Sequence, residues 1–204
     1  MRKQPTTKQL IGRIRGYDVY SVSAFEVRDL MMADEEFGLY AIHHEFPDLV
    51  PENEIWLGQE GQAEWPVFLE GALAWAVNNN YDDALRAESL ARGGLLLGSA
   101  DPRIRYLHSV PDPVETVTVW RVDGKVVRDN WKTDFVEGGH HYVYAWIPKG
   151  EIWIADCVDD EIPFLLTHEY TEMCLMRDRC VPYLHAHSLA NRAEWRARQK
   201  RTKV

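Results

Sequence analysis

The chain has 204 residues, 46% of them hydrophobic and 27% charged, and a net charge of −9. This balance excludes a wholly disordered chain, and the negative charge speaks against a general affinity for nucleic acid, apart from the basic last stretch "RAEWRARQKRTKV". The longest apolar runs, such as "GALAWAV", fall far short of the roughly 18 residues of a membrane span, and "MRKQPTTKQL" lacks the apolar centre of a signal peptide, so the expected location is the cytoplasm, without a membrane partner.

In chain order, residues 1–16 read as an N-terminal extension. Beyond residue 16 the sequence repeats itself. "VYSVSAFEVRD" (19–29) aligns without gaps on "VWRVDGKVVRD" (119–129), "EIWLGQEGQAEWPVFL" (54–69) on "EIWIADCVDDEIPFLL" (151–166), and "AESLAR" (87–92) on "AHSLAN" (186–191). Three blocks in one order at nearly constant offset indicate an internal duplication. The copies are a first repeat at 17–95 and a second at 116–204. Between them, 96–115 carries the Gly and Pro punctuation of a linker.

Within the second copy, "VTVWRV", "HYVYAWI" and "EIWIAD" have the β-branched and aromatic content of strands. Two helices are predicted after them, at 161–177 and 183–199, with counterparts at 63–79 and 82–93 in the first copy. Pro66 and Pro163 suit a first helical turn, where a missing N–H costs nothing. The expected fold is therefore α+β, two related βββαα-like units, with Trp56 and Trp153 in matching core positions. The basic C-terminal stretch is expected to be a solvated helix end. Cys157, Cys174 and Cys180 are odd in number and form no CxxC pair, which indicates free structural thiols.

The helix "FLLTHEYTEMCLM" (164–176) sets His168, Glu169 and Glu172 among core residues. Buried carboxylates and imidazoles need partners. The first copy carries Gly71, Ala72 and Trp75 at these positions, and Glu88 where the second has His187, so the scaffold itself does not require the polar set. Residues four apart share a helix face, which lets His168 and Glu172 converge on one point, with Glu169 displaced beside it. On the next helix Tyr183, His187, Asn191 and Glu194 form one stripe, whereas His185 faces elsewhere. His168, Glu172 and His187 give two imidazoles and a carboxylate, a zinc ligand set, and only the second copy is expected to bind metal. Glu169 follows His168 as the general base follows the first histidine of an HExxH helix, placed to activate a water on the metal. Tyr183 could donate to a developing oxyanion. Glu194 and Asn191 stand behind the ligands, Glu194 orienting His187 or, as the second choice, serving as a further ligand.

"GGHHYVYAWIPKGEIWI", "FLLTHEYTEMCLM" and "YLHAHSLANRAE" together resemble a family of uncharacterised zincin-like proteins of phages and prophages. Its pattern is an IPxGEIWI strand, an HExxE helix followed by LM, and YxxAHxxA running on to a glutamate. The matching residues are Ile147, Pro148, Gly150 to Ile154, His168, Glu169, Glu172, Leu175, Met176, Ala186, His187, Ala190 and Glu194. The likeness spans about residues 118–195. Tyr183 keeps the family's spacing to His187, but "MRDRCVP" lacks the usual glycine of the turn. The resemblance implies a metal-dependent, peptidase-like hydrolase of the host cytoplasm or the virion, acting on a peptide or protein laid along "EIWIAD".

Two other readings stay open. The same ligand chemistry fits iron in a facial triad, and a noncatalytic metal-stapled binding or virion protein needs no base at all. His140 and His141 are near enough in sequence to reach the cleft, but a strand start after two glycines accounts for them. His43 and His44 have no HE partner and are assigned no catalytic part.

Overall fold

The computed structural model describes residues 3–33, 35–94, 96, 98–156 and 159–201. The chain divides into two compact units, residues 1–31 with 36–96 and residues 32–35 with 97–204. Among the described residues there are two four-stranded sheets and six α-helices, with short 3-10 turns before α2 and α5 as defined below.

The first unit runs β1 (Gln9–Ile14), β2 (Tyr17–Val22), α1 (Ala24–Leu30), β3 (Tyr40–Ile42), β4 (Glu54–Gly58), α2 (Trp65–Asn78) and α3 (Tyr81–Ala91). The second repeats that order with β5 (Arg103–Val110), β6 (Val117–Val122), α4 (Gly124–Asn130), β7 (Gly138–His140), β8 (Glu151–Ala155), α5 (Ile162–Arg179) and α6 (Tyr183–Arg201). The sheet orders, β1-β2-β4-β3 and β5-β6-β8-β7, are also the same. In each, the two central strands are parallel and both edge strands antiparallel. A parallel pair requires a crossover, and the segment through α1 or α4 supplies it.

The central strands alternate between two apolar layers. In the second unit Val117, Val119, Ile152 and Ile154 meet Leu165 and Met173 of α5, while Val122 and Trp153 face Val127, Phe135 and Ile147. In the first, Val19, Ile55 and Leu57 meet Phe68, Ala72 and Leu73, with Val22 and Trp56 on the opposite layer. Fine details recur too. Trp56 Nε1 donates to Glu54 and Trp153 Nε1 to Glu151, and the buried Arg28 and Arg128 donate to the carbonyls of Phe37 and Phe135.

Five expectations are corrected. Each unit has four strands and an additional helix, not a βββαα order. α1 and α4 form because Ser23 and Asp123 cap their N-termini, accepting from the Glu26 and Val126 amides. The N-terminal extension contributes β1, and the 96–115 segment is no plain linker, because β5 lies within it. "HYVYAWI" is a run of turns whose Tyr144 and Trp146 pack around Phe135, leaving Gly138–His140 as the edge strand. The C-terminal stretch is not simply solvated. Its Arg198 is buried, and residues 202–204 lie outside the described residues.

Both helix hairpins turn on a residue in the left-handed region, Asn79 at φ 49° and Cys180 at φ 50°. Asparagine tolerates that conformation; Cys180 adopts it in place of the glycine usual at such a cap. Cys180 is exposed and Cys174 half-buried, both as free thiols, and Cys157 lies outside the described residues. No helix among the described residues is long and apolar enough to cross a membrane.

Candidate metal centre

α5 packs one face on β7 and β8 and lies along α6. Pro163 sits in its first turn, and His168, Glu169 and Glu172 project from its buried face. The donor atoms of His168, Glu172 and His187 all lie within 4.8 Å of one another. His187 Nδ1 is 2.8 Å from Glu172 Oε2 and 3.2 Å from His168 Nε2, which is itself 3.8 Å from the same oxygen. His168 and Glu172 are buried, while the His187 side chain retains 26% exposure and gives the cluster its wet side. Tyr183, more exposed, sets its ring 5.5 Å from the His187 ring. His185 is exposed and belongs to no such cluster.

Behind the cluster runs a buried ion network. Glu194 Oε2 lies 3.3 Å from His168 Nδ1, so it backs His168 rather than His187. Arg198, 2% exposed, donates through Nε and Nη2 to Glu194 Oε1 and through Nη1 to Glu161, which precedes α5. Burial would push Glu194 up, but His168 and Arg198 outweigh it and hold the carboxyl at about 2. Asn191 is buried one turn beyond His187 on α6.

Sequence reasoning passed over His140. It ends β7, wholly buried, with Nε2 3.1 Å from Glu172 Oε1. Its donor atom, one from Glu169 and one from Glu172 also lie within 4.8 Å of one another. Burial raises Glu172, yet the neighbouring imidazoles of His140, His168 and His187 outweigh it and keep the carboxyl well below the ordinary carboxylate range. His141 stands outside both groups, its ring 4.2 Å from that of Tyr142.

The first unit shows what the scaffold does without these side chains. The β3/β4 and β7/β8 registers place Ile42 where His140 stands and Tyr40 where Gly138 stands. Tyr40 Oη donates to the buried Glu88 at 2.7 Å, directly over Gly71. A Cβ on Gly71 would meet Glu88 Oε1 at 2.6 Å and Tyr40 Oη at 2.9 Å. One tyrosine–glutamate bond therefore fills the space that the ionisable cluster occupies in the second unit. His43 and His44 join no ligand cluster, and His43 Nδ1 instead donates to the Val50 carbonyl.

The donor set of the second unit suits a divalent cation. Imidazole and carboxylate are zinc and iron ligands, the group is buried, and His140 Nε2 has no hydrogen-bond partner of acceptable geometry despite its closeness to Glu172. No protein-family model, curated protein or solved structure matches the chain.

Proposed function

We propose that the second unit is a zincin-like, metal-dependent hydrolase of phage or prophage origin, with His168, Glu172 and His187 as ligands, zinc as the ion and a peptide or protein as substrate. The observation that carries this reading is the convergence of those three side chains from α5 and α6, beside Glu169, at a place where the first unit has Gly71, Trp75 and Glu88. A divalent ion held there would polarise a carbonyl and lower the pKa of a water. Glu169, next along the helix, takes the proton of the attacking water, and Tyr183 at the exposed rim donates to the oxygen on which charge develops. Glu194, held by Arg198, keeps the His168 ring oriented. β7 pairs with one edge of β8, so "EIWIAD" is covered on both sides within its sheet. That favours recognition of the substrate at the His187 side of the cluster over strand pairing along β8.

One observation supports the noncatalytic alternative, a metal-stapled binding or virion protein: Glu169 is only 9% exposed. The Glu169→Gln protein decides between them. Glutamine keeps size and hydrogen bonding but takes no proton at neutral pH. The expected result is retention of the ion held by His168, Glu172 and His187 with hydrolysis of peptide or other acyl substrates reduced by about two to four powers of ten. Undiminished turnover would remove Glu169 as the base.

A further inference from the structure

We propose that a second divalent cation binds beside the first, held by His140, Glu169 and Glu172, with Glu172 bridging the two ions. This rests on the metal centre proposed above and extends it. Three features point to it. The two oxygens of Glu172 are divided between different imidazoles, Oε1 facing His140 at 3.1 Å and Oε2 facing His187 at 2.8 Å. A carboxylate presented this way has one oxygen for each of two ions. The His140 ring is wholly buried, with Nδ1 3.3 Å from the Tyr142 amide and Nε2 turned to the cluster at 3.1 Å from Glu172 Oε1 without good hydrogen-bond geometry; an ion would take Nε2 by displacing its proton, as metal binding to imidazole does.

The third feature is Gly138, two residues before His140. A Cβ there would come within 2.5 Å of Glu169 Oε1 and 2.9 Å of its Cδ. The missing side chain is what lets the Glu169 carboxylate lie against β7, on the His140 side of Glu172. Tyr40 occupies the corresponding place in the first unit, where Ile42, Ala72 and Trp75 replace His140, Glu169 and Glu172. The second group of ligands is thus present or absent together with the first. Two carboxylates side by side in a buried place repel each other, and a cation between them removes that cost. Paired ions in such sites stand about 3.5–4 Å apart, a separation that one bridging carboxylate spans. A second ion also occupies the carboxylate assigned as base, so excess metal should lower hydrolysis by the singly loaded protein.

The test is metal stoichiometry on the full chain, stripped with a chelator and titrated with Zn²⁺ by calorimetry, then with Co²⁺ for electron paramagnetic resonance. Wild type should bind two ions per chain, the second more weakly, and the Co²⁺ signal should fall on filling the second site as the bridged pair couples. His140→Ala should bind one ion with an uncoupled Co²⁺ signal. Glu169→Gln, which leaves β7 untouched, should weaken or lose the same second ion and guards against a folding defect in the strand variant. One ion in wild type, unchanged by His140→Ala, overturns the second site and leaves the first standing. One ion that His140→Ala abolishes makes His140 a ligand of a single site and also overturns the proposal. Two ions that both survive His140→Ala place the second elsewhere and overturn it. No ion at all removes the metal centre altogether.

Discussion

Replacing Arg198 by methionine tests the buried network behind the cluster while keeping the apolar stem. The guanidinium is 2% exposed, bonds Glu194 Oε1 at 2.9 and 2.8 Å, bridges to Glu161 and lies 4.8 Å from the Phe164 ring centre. Removing one member of a buried ion pair costs about 3–5 kcal/mol, because the partner stays desolvated and uncompensated. Here the remaining charges are partly covered. Glu161 keeps Arg201 at 2.9 Å and Glu194 keeps His168 at 3.3 Å, which places the expectation near the lower end, about 3 kcal/mol. Losing the stacking on Phe164 adds about 0.5–1 kcal/mol. At about 2–4 °C per kcal/mol for a chain of this length, the melting temperature should fall by on the order of 10 °C. The measurement is urea and thermal unfolding of chelator-treated protein, so that metal linkage does not enter. The double variant Arg198→Met, Glu161→Gln should recover more than about 1 kcal/mol of the summed single losses, since contacting residues are not additive. A loss below about 1 kcal/mol, the level of an exposed pair, or strict additivity, would refute the reasoning.

His187→Ala should lose metal and the stabilisation that metal confers, about 2.7 kcal/mol at a hundredfold excess over Kd, whereas His185→Ala, at an exposed position, should change neither. Metal analysis and melting curves with and without chelator check both, and loss of metal from the His185 variant alone would reassign the face of α6. In the first unit, burial first and the charge of Glu36 second push the Glu45 carboxyl up to about 8. The folded form therefore holds a proton that the unfolded form has lost, and this contribution to stability declines as pH rises from the ordinary 4.5 to about 8. Glu45→Gln should flatten that decline, matching wild type near pH 4 and gaining about 2 kcal/mol by pH 8 after allowance for partial exposure. Parallel stability–pH curves for the two proteins would contradict the shift.

The helix pair was legible because two periodicities coincide in it. The apolar spacing fixes α5 and α6, and the four-residue spacing of His168 with Glu172, and of Tyr183 with His187 and Asn191, marks the faces that meet. β6 and β8 were legible from β-branched residues buried on both layers. β1 and β5 were not. Both are edge strands with largely exposed residues, and "RIRYLHSV" alternates Arg and His with apolar residues much as a solvated loop would. α1 and α4 are seven residues each, too short to show a helical period, and stand on their caps. Arg198 looked like part of a charged tail because nothing in sequence joins it to Glu161, 37 residues earlier.

His140 could have been found by the comparison that exposed His168. Both take the place of apolar or small residues in the other unit, Ile42 for His140 and Gly71 for His168. The comparison failed at β7 because the offset between copies changes there, from 97 at Trp56 and Trp153 to 98 at Ile42 and His140. A three-residue strand carries too little pattern to reveal that slip. Once the register is known, the differences between the units fall together on β7, α5 and α6: Tyr40, Ile42, Gly71, Ala72, Trp75 and Glu88 against Gly138, His140, His168, Glu169, Glu172 and His187. Each exchange makes sense only with the others. Glycine at 138 is needed because Glu169 lies against it, and glycine at 71 because Tyr40 and Glu88 meet over it. A single substitution from one set into the other would collide or leave a buried charge unpaired, so the polar set behaves as one packed unit, and converting either arrangement into the other requires changing β7 together with the helix pair.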